Sequence, residues 1–144
     1  QGITIQIETN GTQALSPVLR NYVVENLGMA ELQFNISPKL FYVTGEEDAV
    51  VYDNILQYQT LAKGSILKFV VNNDNRAWEE LDKHVTNLRA LGVNLPIYVM
   101  PVGATKEQQE DSKVISSIAT KAIERGYHVS GRLHTVMFGN KVGT

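Results

Sequence analysis

The sequence predicts a single α/β domain, residues 1–144, in which parallel strands alternate with helices. Three observations carry this. Short apolar segments recur along the chain at Ile3 to Ile7, Leu32 to Ile36, Ile66 to Val71 and Leu95 to Val99. Each is followed by a stretch with apolar residues at helical spacing. The breaks between them are short and rich in Gly, Pro, Asn and Ser, as tight βα connections require. With 43% hydrophobic and 19% charged residues in 16.0 kDa, the chain has an ordinary globular composition and room for one core.

Taken in order, Gly2 to Glu8 reads as a strand, with Ile3, Ile5 and Ile7 alternating with Thr4 and Gln6. Glu8-Thr9-Asn10-Gly11-Thr12 breaks it with a polar turn. Ser16-Pro17 is a cap followed by a first-turn proline. The helix it opens runs through Leu19, Tyr22 and Val23 and stops near Gly28. Leu32, Phe34 and Ile36 form the second strand, which Ser37-Pro38-Lys39 ends because proline lacks a ladder donor. The acidic segment Thr44 to Asp48 leads into a helix with Val51, Ile55 and Tyr58 on one face and Gly64 as its cap. Ile66 to Val71 is nearly all apolar apart from Lys68. Asn72-Asn73-Asp74-Asn75 offers caps for a helix carrying Trp78, Leu81, Val85 and Leu88, which Gly92 stops. Leu95 to Val99 is the fourth strand, closed by Met100-Pro101-Val102-Gly103. One long helix is expected from Thr105 to Arg125, with Thr105 and Gln108 at capping-box spacing. Val129 is short strand or loop, and Leu133 to Phe138 is expected to be a last strand.

Several function classes drop out. A net charge of −2 provides no overall basic field for nucleic acid. No apolar run approaches the ~20 residues needed to cross a bilayer. Zero cysteines exclude disulfides, Cys nucleophiles and thiolate metal sites. HExxH, the P-loop pattern, GxGxxG and G-x-S-x-G are all absent. The chain begins at Gln1 on an alternating apolar strand, which reads as the interior of a longer pattern.

Parallel α/β sheets bind ligands outside the carboxyl ends of their strands. The loops there place Thr9 and Asn10, then Ser37, Pro38 and Lys39, then Met100, Pro101 and Val102. Polar side chains in the first two and exposed main chain in the last suit a small polar ligand with a planar ring. Each loop alone is also an ordinary turn. Lys68 in its apolar strand must pair, snorkel or line a cavity. Arg132 and His134, two apart on the expected last strand, suit anion or heterocycle recognition. His84, between Asp82 and Lys83, reads as a solvated helix residue, and Glu79, Glu80 and Asp82 as helix-surface charge.

Five segments in order carry a resemblance: Ile5 to Thr12, Asn35-Ile36-Ser37-Pro38-Lys39, Leu67-Lys68-Phe69-Val70-Val71, Tyr98 to Thr105, and Gly131 to Thr144. Together they resemble the later part of the 7-carboxy-7-deazaguanine synthases. These are cytoplasmic, lyase-type radical S-adenosylmethionine enzymes of queuosine precursor biosynthesis. The resemblance implies half to two thirds of a radical-SAM-type βα barrel. The family contracts the ring of 6-carboxy-5,6,7,8-tetrahydropterin, using S-adenosylmethionine on a [4Fe-4S] cluster with magnesium. It further implies that Thr9 and Asn10 lie beside the cofactor and that Ser37, Pro38 and Lys39 hold its ribose or methionyl end. Met100, Pro101 and Val102 then face the adenine, and Arg132 and His134 the pterin substrate. The family's CxxxCxxC and Gly-Gly-Glu-Pro motifs have no counterpart here. The expectation is therefore a C-terminal part that binds S-adenosylmethionine weakly or not at all, holds no metal and is inactive alone. The unprotected alternation of Ile3, Ile5 and Ile7 further predicts a two-fold homodimer. A self-sufficient small-molecule-binding α/β module and a structural domain are the alternatives.

Overall fold

The computed structural model describes residues 3–25, 30–103 and 105–138. The chain is α/β, with five parallel strands: β1 (Ile3–Thr9), β2 (Ala30–Ile36), β3 (Ile66–Val71), β4 (Ile97–Pro101) and β5 (His128–Val129). Between them run α1 (Pro17–Glu25), α2 (Phe41–Thr44), α3 (Tyr52–Leu61), α4 (Asn75–Ala90), α5 (Lys106–Glu110) and α6 (Ser112–Glu124). Finally, α7 (Leu133–Phe138) follows β5.

The strands stand in sequence order, β1-β2-β3-β4-β5, all parallel. In a parallel sheet whose strands stand in sequence order, right-handed crossovers place the connecting helices on one face. The burial pattern agrees. In β3 Leu67, Phe69 and Val71 are buried, while Ile66, Lys68 and Val70 are only half-buried. Phe34, Ile36, Ile97 and Val99 join the buried row and pack with Ile55, Trp78, Leu81, Leu88 and Ile118 from the helices. A sheet with helices on both faces would bury both sets. This one-sided arrangement is compatible with part of a βα barrel.

Local signals account for the boundaries. The Ser16 hydroxyl accepts from Leu19 N at 3.1 Å, as a cap ahead of Pro17 should. Asp74 caps α4 by accepting from Arg76 N at 3.0 Å. Gly92 ends that helix with Val93 N donating to Leu88 O and Gly92 N to Arg89 O. The expected stop of the first helix near Gly28 lies outside the described residues. Buried Ser65 joins three elements: its hydroxyl donates to Ala62 O at 2.6 Å and accepts from Phe34 N at 2.9 Å. It substitutes for ladder bonds where β2 and β3 pair over only two residues.

Four expectations are corrected. Leu133 to Phe138 is a helix, not a strand. Sheet pairing ends at β5, with Ser130 N donating to Val99 O. Arg132 O then accepts from Thr135 N and Val136 N and winds the chain up. The helix expected from Thr105 to Arg125 is two. The Thr105–Gln108 capping box forms, but Asp111 interrupts the run and caps α6 through Lys113 N and Val114 N. Phe41 to Thr44, unassigned in sequence, is the short α2. Gly64 is not the cap of α3; the cap position is Ala62, in extended conformation.

Candidate functional site

The face of the sheet opposite the buried row is polar over β1 and β2, while over β3 and β4 Ile66, Val70 and buried Met100 share it with Lys68 and Tyr98. Register pairs Thr4 with Glu31, Gln6 with Gln33 and Glu8 with Asn35, so these six share that face. Further across, Lys68 pairs with Tyr98, and Tyr98 with His128. Neighbours on this face bond to one another. Thr4 Oγ1 donates to Glu31 Oε2 at 3.3 Å, and Gln6 Nε2 to Asn35 Oδ1 at 3.4 Å. Lys68 Nζ lies 3.9 Å from Glu8 Oε1, with the lysine side chain 23% exposed and the glutamate 76%. Tyr98 and His128 stack with ring centroids 4.7 Å apart and planes at 22°. Amides, carboxylates, one half-buried ammonium and a ring pair thus lie beside the apolar side chains of Ile66, Val70 and Met100 on this face. The face offers a charge, amide hydrogen bonds and a stacking platform to a flat polar ligand.

The loop residues expected to form a site are only partly brought together. Thr9 and Ser37 are neighbours, with Ser37 N donating to Thr9 O at 2.7 Å. The turn they flank is tied down internally. Thr9 Oγ1 accepts from Gly11 N at 3.1 Å, and Asn10 Oδ1 accepts from Thr12 N and Thr12 Oγ1. Buried Asn54 then donates to Gly11 O at 3.2 Å and locks the turn onto α3. Pro38 is buried. Lys39 lines a cavity on the helix side, beside α4.

Met100, Pro101 and Val102 stand apart from these. Register puts Thr9, Ile36, Leu67 and Ile97 in one row. Met100 is three residues beyond Ile97, about 10 Å further along the strands at ~3.3 Å per residue. It is also three strands across, about 14 Å at ~4.8 Å per strand. Met100 and Pro101 are buried, whereas Val102 is exposed. Val102 and Arg132 share a different cavity, of about 510 Å³, with Gly103, Gln108, Asp111 and Val114. Arg132 and His134 do not form an Arg-x-His pair on a strand: Arg132 precedes α7 and His134 is in its first turn. The side chain of His134 lies outside what the structure describes.

The helix layer holds a group that sequence reasoning missed. Tyr52 hydroxyl and His84 Nδ1 are 2.8 Å apart, and Asn87 Nδ2 donates to the same hydroxyl at 3.0 Å. Which of the hydroxyl and Nδ1 donates depends on the imidazole tautomer. Nε2 faces Glu80 Oε1 at 3.6 Å. Burial pushes His84 below its ordinary value, against the raising influence of the Glu80 carboxylate. Glu80 also accepts from Phe41 N at 2.7 Å and Tyr42 N at 3.1 Å, which seats α2 on α4. His84 and Glu80 are thus not solvated helix charges. Glu80 and His84 stand at i,i+4 spacing on α4, but their partners Tyr52, Phe41 and Tyr42 come from segments more than thirty residues away.

The cysteine-free sequence offers no thiolate, so its residues do not fit a cysteine-ligated cluster, and no chemical step is derived through one. Among the described residues no helix is long and apolar enough to cross a membrane. Comparison with protein-family models, with curated proteins and with solved structures finds no match.

Proposed function

We propose that this chain binds a planar, carboxylate-bearing heterocycle on the open face of its sheet. In this reading it is the C-terminal part of a cytoplasmic radical S-adenosylmethionine barrel enzyme of the 7-carboxy-7-deazaguanine synthase type. The observation that carries the reading is the sheet face opposite the buried row, which presents Lys68 beside the Tyr98–His128 stack. A pterin ring would lie against the stacked rings and its carboxylate against Lys68, with Gln6 and Asn35 as amide partners. The five ordered sequence segments support the family assignment.

The reading revises the residue roles. Thr9 and Asn10 shape the first loop through their turn bonds, and Lys68, Tyr98 and His128 replace Arg132 and His134 as the substrate contacts. S-adenosylmethionine contacts remain proposed for Ser37 and for the Met100–Val102 main chain. Without cluster ligands the chain alone does no radical chemistry. A homodimer in which each half-barrel covers the other belongs to the same proposal. Calorimetric titration with 6-carboxy-5,6,7,8-tetrahydropterin tests the site. Saturable binding at about millimolar strength, weakened by Lys68→Ala, is expected. Absence of binding, or binding indifferent to Lys68, defeats the reading.

A further inference from the structure

The connection between α2 and α3 and the flank of α4 enclose a cavity of about 480 Å³, a size typical of small-molecule sites. All its walls come from the described part of this chain. One wall is fixed by the Asn87–Tyr52–His84 hydrogen bonds and by Glu80, whose carboxylate is committed to the amides of α2. A wall held this way needs little ordering when a guest arrives.

The rest of the lining carries both signs of charge. Lys83 projects from α4, Lys39 stands in the loop before α2, and Glu46, Glu47 and Asp48 come from the connection before α3. Among the described residues no ion pair joins either lysine to any of these three carboxylates. Unlike charges that line one cavity without closing on each other leave both signs available to a guest that carries both. Phe41 and Val50 add apolar surface to the lining.

We propose that this cavity receives an α-amino acid with an apolar side chain. Lys83 takes its carboxylate, the acidic connection takes its ammonium, and Phe41 and Val50 take its side chain. The inference stands on this cavity alone and does not depend on the reading of the open sheet face.

Amide-detected NMR titration of the full chain with L-leucine tests it, alongside isovalerate, which lacks the ammonium, and isopentylamine, which lacks the carboxylate. L-Leucine is expected to shift residues 46–50 and 80–84 saturably, with a dissociation constant of ~1–10 mM, the scale of so small a ligand. Each half-ligand should bind at least about tenfold more weakly, since each loses one charge contact. Lys83→Ala and Asp48→Asn should each weaken L-leucine about fivefold or more while leaving the other amide signals in place. Asp48 has φ +50°, a conformation Asn also tolerates, so neither exposed substitution threatens the fold. No saturable shift up to ~100 mM overturns the proposal. Isovalerate or isopentylamine binding as well as L-leucine overturns it too, as do variants that bind unchanged.

Discussion

Two glycines with the same backbone but different surroundings separate conformational strain from packing. Gly11 and Gly45 have φ of +78° and +77°. A Cβ added at Gly45 meets nothing within 4 Å, whereas at Gly11 it would lie 3.0 Å from Ile36 Cγ2 and 3.7 Å from Ile55 Cγ1. Both isoleucines are 0% exposed and cannot swing into solvent. Gly45→Ala should cost only the left-handed penalty, about 1–2 kcal/mol. Gly11→Ala should cost that plus overpacking of about 1–3 kcal/mol, about 2–5 kcal/mol in all. Any backbone shift at Gly11 also loosens the bond from buried Asn54. Urea unfolding followed by the fluorescence of Trp78, the single tryptophan and 2% exposed, measures both variants. At roughly 3–4 °C per kcal/mol for a chain of this length, Gly11→Ala should also melt several degrees below Gly45→Ala. Equal effects of the two variants would refute the reasoning, because they would mean that the first loop does not rest on Ile36.

Ser65→Ala should destabilise by about 2 kcal/mol, since it strands the buried Phe34 N–H as well as removing a bond to Ala62; the same urea curves check it, with an unchanged slope. The His84 pKa is lowered by burial, so below about pH 6.5 the unfolded chain takes up the proton first. Stability should therefore fall as pH drops through that range, and a His84→Gln variant should show a shallower fall when melting is followed from pH 8 downward.

The alternation of strands and helices was legible because each strand carries an apolar run and each turn has its own chemistry. Ser16-Pro17, Gly92 and the Thr105–Gln108 box all behave as their types dictate. What misled was residue type without context. His134-Thr135-Val136-Met137 is rich in strand-favouring side chains, yet it is helical, with Thr135 N and Val136 N donating to Arg132 O. The apolar stripe Val114, Ile118 and Ala122 marked a helix correctly but gave no sign that Asp111 starts it afresh. Of the site, Lys68 stood out because a charge in an apolar strand needs a reason. His128 and Tyr98 did not, since their stacking depends on pairing between strands thirty residues apart. Lys39 lies in the loop after β2, as expected, and there it lines the cavity beside α4.

The central claim is that the sheet face carrying Lys68, Tyr98 and His128 is a ligand surface rather than a solvated one. Calorimetric titration of 6-carboxy-5,6,7,8-tetrahydropterin into the chain, Lys68→Ala and Tyr98→Ala tests it most directly. The account predicts a dissociation constant of about 1 mM for the unaltered chain, raised about tenfold by either substitution, because one removes the charge partner and the other the stacking platform. A chain that takes up no pterin, or that binds it equally well without Lys68 and Tyr98, contradicts the account.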